Sequence, residues 1–303
     1  MSDEQNDRPG GDPRAADPDA GTLAAHDLAV GHGTRTVAAG IGATFRPGTL
    51  TAVVGPNGCG KSTLVRTLAR LQHPLAGRVT LDGDDVAHLR PRALARRVAF
   101  LPQSPLVPAG ITVRQLVGYG RHPHQGLIGG DRAGDVGAVD EALAATGLDG
   151  LADRDVDHIS GGERQRAWVA MTLAQRTRVL LLDEPTTFLD IRYQLDVLRL
   201  ARRLVDDHRL TVVVVLHDLN QAAGFADAMV LLAEGAVVAQ GPPAAVLTED
   251  HVARAFGVAV RVVADPASGL PSCLFPGREP VAAGAPPPLS TPRPPTRPSQ
   301  ESP

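Results

Sequence analysis

Gly55-Pro56-Asn57-Gly58-Cys59-Gly60-Lys61-Ser62-Thr63 follows directly on the apolar run Leu50–Val54. Its spacing, G-x-x-x-x-G-K-S, is that of a loop whose backbone N–H groups cradle phosphates. Glycine lets the chain pass close enough to aim those groups at phosphate oxygens. Lys61 is the only lysine in the chain, and arginine supplies every other Lys/Arg position. A compact ammonium reaches the β- and γ-phosphates here, whereas the planar fork of an arginine needs a different geometry. The Ser62 hydroxyl is placed to ligate Mg²⁺. The stretch therefore predicts a strand, a phosphate-binding turn and a helix, and with them a bound nucleoside triphosphate.

Outward from this loop the chain alternates strand and helix signals. Helical spacing runs over Ser62–Leu71. Val98–Leu101, Val179–Leu182, Thr211–Leu216 and Met229–Leu232 are short, continuous apolar runs of the buried parallel-strand type. Gly77–Leu81 and Ala236–Gln240 read as added antiparallel strands. From about 104 to 177 the character changes to helices and loops without an obvious buried strand. That change predicts an α-helical subdomain inserted into a mainly parallel α/β core. Residues 1–21 are rich in Asp, Gly and Pro, and 279–303 in Pro, Ser and Thr; both compositions favour disordered, solvated chain. The folded span is expected over 22–278.

The 303 residues are 43% hydrophobic but only 3% aromatic, so aliphatic side chains must fill the core. A formal net charge of −3 speaks against a protein that coats nucleic acid. No signal-peptide pattern opens the chain, and no apolar run approaches the roughly 18 residues needed to cross a bilayer. Cys59 and Cys273 form no zinc spacing. A disulfide at Cys59 would obstruct the phosphate loop, which points to a reducing cytosol.

Three further stretches carry chemistry. The run Val179–Leu182 ends in Asp183-Glu184, so a buried strand delivers two adjacent carboxylates to the crevice where ligands bind. Asp183 is placed to hold Mg²⁺, directly or through water, and Glu184 to polarise an attacking water. Ser160-Gly161-Gly162-Glu163 opens a helix and presents N–H groups and a hydroxyl to an anion. Standing alone, such a turn reads better as a capped helix start. His217 ends the run Val212–Leu216 and faces the same crevice, although an isolated histidine there is by default a packed core residue.

Lys61, Gln103, Ser160–Glu163, Asp183–Glu184, Leu189–Asp190 and His217 occur in that order. The ordered set resembles the nucleotide-binding subunit of an ATP-binding cassette (ABC) transporter along nearly all of residues 22–262. The resemblance implies a P-loop NTPase of α/β class: a RecA-like core with an antiparallel β layer and an inserted helical subdomain. It also implies a homodimer that sandwiches two ATP molecules head to tail. Ser160, Gly161, Gly162 and Glu163 of one copy would then meet the triphosphate held by Gly55–Thr63 of the other. Gln103 matches the glutamine that reaches Mg²⁺ and the attacking water and links the site to the membrane partner. Glu184 matches the catalytic carboxylate, Asp190 the aspartate that crosses the interface, and His217 the histidine on the γ-phosphate. The chain departs from the family pattern at two positions. Glu163 stands where many relatives carry Gln, and its charge adds repulsion near triphosphate unless Arg164 or Arg166 neutralises it. His32 aligns with the usual adenine-stacking Tyr; an imidazole offers less area, and an exposed turn histidine is the other reading.

Asp183-Glu184-Pro185-Thr186-Thr187-Phe188-Leu189-Asp190-Ile191, Leu216–Ala222 and Gly120–Gly126 are similar to a narrower group. These are the ATPases of bacterial ferric-siderophore importers, with cobalamin and haem importers close by. The similarity implies a peripheral protein on the cytoplasmic face of the membrane. Its partners would be integral-membrane permease subunits and a substrate-binding protein, and not nucleic acid. His122 and His124 invite a metal reading, but no third ligand lies near in sequence, and shaping the groove that receives the permease fits them better. An exporter cassette is the main rival. A DNA-repair ATPase of this fold needs a long coiled coil between Lys61 and Ser160, where no sustained heptads occur. A translation-associated one needs two cassettes.

Overall fold

The runs that lack a polar face are buried on both faces. In the computed structural model, which describes residues 21–103, 105, 109–125, 132–187 and 189–275, Val212 and Val214 join one core cluster and Val213 and Val215 another. Leu180 and Leu182 part in the same way from Val179 and Leu181. Successive side chains of a strand point to opposite faces, so a sheet with a core on each side needs apolar residues at every position.

β1 (Leu23–His32) and β2 (Arg35–Phe45) form a long antiparallel hairpin. β3 (Leu50–Val54) enters a second sheet and leads through the glycine-rich turn into α1 (Lys61–Leu68). β4 (Ala76–Leu81) and β5 (Asp84–Asp85) return to the first sheet, whose order is β2-β1-β4-β5 with antiparallel neighbours throughout. α2 (Pro91–Ala95) brings the chain to β6 (Val98–Leu101). α3 (Val113–Gly118), α4 (Arg132–Thr146) and α5 (Gly161–Ala174) follow. Among the described residues of that stretch the only strand-like pairing is one bridge between Thr112 and Asp155.

β7 (Val179–Leu182), α6 (Ile191–His208), β8 (Thr211–Val215), α7 (Leu219–Phe225) and β9 (Ala228–Ala233) then alternate. β10 (Ala236–Gly241) turns back antiparallel to β9, and the six-stranded sheet runs β10-β9-β3-β8-β7-β6. α8 (Pro243–Val246), α9 (Glu249–Phe256) and a hairpin of β11 (Arg261–Ala264) and β12 (Pro271–Leu274) complete the described chain. The parallel α/β core and its antiparallel layer are those expected, with Gly77–Leu81 in β4 and Ala236–Gln240 in β10.

Two boundaries differ from expectation. α1 stops at Leu68 instead of Leu71, because Arg70 turns into the left-handed region (φ 56°). Its guanidinium then donates to the Val86 and Leu89 carbonyls. At the start of the chain Gly21 is part of the fold and not of a tail. Its N–H donates to Asp82 Oδ1 at 2.6 Å, and its carbonyl accepts from Thr211 Oγ1 at 2.7 Å. The remainder of the expected tails, 1–20 and 279–303, lies outside the described residues.

Pairing places the functional edge. β3 and β7 flank β8 in parallel, with Val53 opposite Val215 and Leu182 opposite Val214. The three strands therefore end together, and the residues that follow them emerge along one crevice. Among the described residues no helix is long and apolar enough to cross a membrane. Cys59 and Cys273 are both free and buried.

Candidate functional site

The glycine-rich turn leaves β3 at Gly55, whose φ of 148° is open to glycine alone. A Cβ there would lie 2.0 Å from the Leu232 carbonyl oxygen, so the turn hugs β9. Lys61 opens α1 and is 4% exposed. Its Nζ donates to the Gly55 and Pro56 carbonyls, both at 2.9 Å, which holds the ammonium over the loop's own backbone. Around it is a cavity of about 430 Å³ lined by Asn57, Gly58, Gly60, Lys61, Ser62, Thr63, His32, Arg35, Val37 and Glu184. His32 is exposed at the end of β1, with Nε2 3.4 Å from Thr63 Oγ1. Arg35 and Val37 carried no signal of their own in the sequence. The hairpin brings them in, since His32 pairs with Arg35 across its turn. A larger cavity of about 630 Å³ between the two sheets, bounded by Arg46, Asp227 and Gln240 among others, contains none of the predicted residues.

β7 delivers the two carboxylates into different surroundings. Asp183 is fully buried, and neither of its oxygens has a hydrogen-bond partner among the described residues. Burial pushes its pKa up, opposed by the neighbouring Ser62 hydroxyl and by Arg66, whose Nε lies 3.4 Å away. A buried carboxylate with open oxygens beside a hydroxyl is a donor set that suits a hard divalent cation. The residues present thus fit Mg²⁺.

Glu184 is held differently. Its backbone sits at φ 51°, a region costly for a non-glycine residue, by about 1–3 kcal/mol, and common at functional sites. Three groups converge on one carboxylate oxygen, Oε2. Gln103 Nε2 donates at 2.5 Å, Thr187 Oγ1 donates at 3.2 Å, and His217 Nε2 lies at 2.9 Å. Gln103, Glu184 and His217 are therefore brought together as the sequence order predicts. Thr187 had no assigned role, although its place three residues after Glu184 in a tight turn was a usable signal.

Ser160 and Glu163 form a capping box at the head of α5. Ser160 Oγ accepts from the Glu163 N–H at 3.2 Å, and Glu163 Oε2 accepts from the Ser160 N–H at 2.8 Å. The cap therefore favours the charged form of the glutamate. The Ser160 N–H is the largest influence holding the Glu163 carboxyl below its usual range, and Arg166 adds less. Gly162 packs under an aromatic ring, where a Cβ would lie 2.2 Å from Tyr193 Cδ1, whereas a Cβ on Gly161 meets nothing within 4 Å. Asp190 caps α6, and its Oδ1 accepts from the Tyr193 N–H at 3.2 Å. Ser160, Gly161, Gly162, Glu163 and Asp190 do not line the phosphate-loop cavity within one chain. His124 Nε2 lies 2.8 Å from the Gln175 carbonyl oxygen at the end of α5, and His122 stacks on Tyr119 at 5.5 Å.

The sequence model of the ABC transporter family matches residues 39–187. The chain is 46% identical to the ferric enterobactin transport ATP-binding protein FepC of Escherichia coli (strain K12), over 84% of this chain and 94% of that protein. It is 46% identical to the achromobactin transport ATP-binding protein CbrD of Dickeya dadantii (strain 3937), over 85% of this chain and 96% of that protein. Among solved structures, an inward-facing ABC transporter assigned to the metal-chelate type superposes with a TM-score of 0.74 at 26% identity, covering 85% of this chain and 98% of that one.

Proposed function

The chain belongs to the ABC transporter family and is an ATP-hydrolysing cassette, and from that premise we propose that it powers ferric-siderophore uptake through partner permease subunits. Support for the cargo comes from kinship, since relatives named for ferric enterobactin and achromobactin transport match along most of their length. The mechanism is carried by the convergence of Gln103, Thr187 and His217 on Glu184 Oε2, beside the Lys61 cradle.

Lys61 exchanges the Gly55 and Pro56 carbonyls for β- and γ-phosphate oxygens, and the N–H groups from Gly55 to Thr63 close round the same phosphates. His32 borders the adenine side. Ser62 and Asp183, with Gln103, would hold Mg²⁺, which would supply positive charge to offset that of the phosphates. Glu184, with Oε2 already engaged, turns Oε1 to an attacking water and orients it toward the γ-phosphorus. His217 shifts from the carboxylate to the γ-phosphate.

A second copy covers each site with Ser160, Gly161, Gly162 and Glu163, where the open face of Gly161 admits the triphosphate, and Asp190 lies along the same interface. Within the folded unit, which includes Gly21, the helical segment 104–177 and Gln103 pass dimer closure to the permease on the cytoplasmic face of the membrane. A substrate-binding protein supplies the cargo. The test is uptake of labelled ferric siderophore, cobalamin and haem by cells carrying the native chain or Glu184→Gln. Loss of ferric-siderophore uptake alone is expected. Unchanged uptake of all three would remove the iron assignment, and loss of cobalamin or haem uptake alone would move it to that cargo.

A further inference from the structure

We infer that Gln194 and Gln221 form a positioning relay that keeps His217 and the Leu189–Asp190 turn in register with Glu184. Gln221 Nε2 donates to Gln194 Oε1 at 2.8 Å, and Gln194 Nε2 donates to the Leu189 carbonyl at 3.0 Å. Gln221 lies in the first turn of α7. The N-cap of that helix, Asp218, directly follows His217 and accepts from the Asn220 and Gln221 N–H groups at 2.8 and 2.9 Å. Gln194 lies in the first turn of α6, which Asp190 caps. His217 and Thr187 both meet Glu184 Oε2. The Leu189 N–H donates to the Thr186 carbonyl at 3.4 Å, so a circuit runs from Glu184 through the Thr186–Thr187 turn and Leu189 to Gln194 and Gln221, and back through Asp218 and His217.

The relay has a direction. A glutamine amide offers one oxygen acceptor and two N–H donors; Gln194 gives its oxygen to Gln221 and an N–H to Leu189. Turning either amide round sets oxygen against oxygen at one end. Both side chains are half-buried, so water replaces a lost partner incompletely. The far side of α7 is anchored as well. Asn220 Nδ2 donates to the Cys273 carbonyl at 3.2 Å, and the Cys273 N–H donates to Asn220 Oδ1 at 2.7 Å. With α7 clamped to the C-terminal hairpin, a movement of the Asp190 turn is carried to His217 and not absorbed by the helix.

Neither glutamine touches nucleotide in this scheme; both act through Glu184 and His217, so the relay rests on the catalytic reading proposed above. The test is steady-state ATP hydrolysis by the purified full-length chain with Gln194→Ala, Gln221→Ala and both together. Each single change should lower kcat about tenfold, equivalent to about 1.4 kcal/mol, with KM held within about twofold. The double change should fall no further than the lower single, as expected for residues acting through one another. Gln221→Glu keeps size and packing but removes the donor, and should match Gln221→Ala in kcat while melting within about 2 °C of the native chain. Losses that multiply in the double variant, native kcat in Gln221→Glu, or a raised KM with intact kcat would each overturn the relay. Glu184→Gln is measured alongside. Native turnover in that variant would refute the underlying catalytic reading, whereas its loss with the glutamine variants unaffected would refute the relay alone.

Discussion

Adding one methyl group at each of two adjacent glycines separates packing from contact with a second chain. Gly161 and Gly162 both lie in the first turn of α5, where replacing Gly by Ala regains about 0.5–1 kcal/mol of backbone entropy. At Gly161 the new Cβ meets nothing within 4 Å. Gly161→Ala should therefore fold normally and melt about 1–3 °C higher. At Gly162 the Cβ would lie 2.2, 2.5 and 2.6 Å from Tyr193 Cδ1, Cγ and Cε1. These atoms sit near the root of the ring, so Tyr193 must leave its position, a displacement costing about 1–3 kcal/mol. The entropy gain offsets part of that cost. Gly162→Ala should melt about 2–4 °C lower for a net loss of about 1 kcal/mol, and Tyr193→Ala added to it should recover most of the loss. Hydrolysis should divide the pair in the other sense. Gly161→Ala obstructs only the face assigned to the partner's triphosphate, so kcat should fall on the order of 10- to 100-fold with ATP binding intact. Thermal melts and steady-state ATPase assays on the same preparations check both halves. Native kcat in Gly161→Ala would refute the interface role of that face, and a native melting point in Gly162→Ala would refute the packing.

Lys61→Ala should weaken nucleotide binding roughly 10- to 100-fold, from the loss of a charge-assisted bond worth about 1.5–3 kcal/mol; titration with a fluorescent ATP analogue checks it, and undiminished affinity would contradict the cradle. Asp183→Asn removes a buried charge that lacks hydrogen-bond partners, so the nucleotide-free chain should melt about 2–4 °C higher while Mg²⁺-dependent hydrolysis is lost. A lower melting point would show that Arg66 already compensates the carboxylate. Glu163 is an acid held below its ordinary value of 4.5 by the Ser160 N–H. Its stabilising contribution is full above that value and is lost as pH falls through the lower folded value. Urea titrations from about pH 6 to about pH 3 should show the native chain losing more stability than Glu163→Gln, and parallel losses would remove the capping box from the account.

Strands were legible where burial on both faces left no polar position, and the run Thr211–Leu216 is the clearest case, since its valines divide between two cores. The phosphate loop, Asp183–Glu184 and His217 were legible because each directly follows such a strand. Most of what stayed hidden depends on partners distant in sequence; Glu163 is the exception. Gly162 looked like a residue cleared for an anion, yet Tyr193 from the next helix fills the space above it. Glu163 reads as a departure in charge, and its carboxylate also closes a hydrogen-bonded cap with its neighbour Ser160; the capped helix start was legible, but the glutamate's part in it was not drawn from the S-x-x-E spacing. The end of α1 was hidden by Arg70, whose left-handed turn answers to carbonyls in the Val86–Leu89 segment. Gln194 and Gln221 lie in separate helices, and no periodicity relates them.

The central claim is that Glu184 activates water for hydrolysis at a site that ATP binding completes with a second chain. The most direct measurement pairs ATP turnover with the molar mass in solution for Glu184→Gln, with and without ATP and Mg²⁺. Turnover should fall on the order of 10²–10⁴-fold, and the ATP-loaded variant should sediment as a dimer where the nucleotide-free chain sediments as a monomer. Undiminished turnover, or an ATP-bound chain that remains monomeric, would contradict the account.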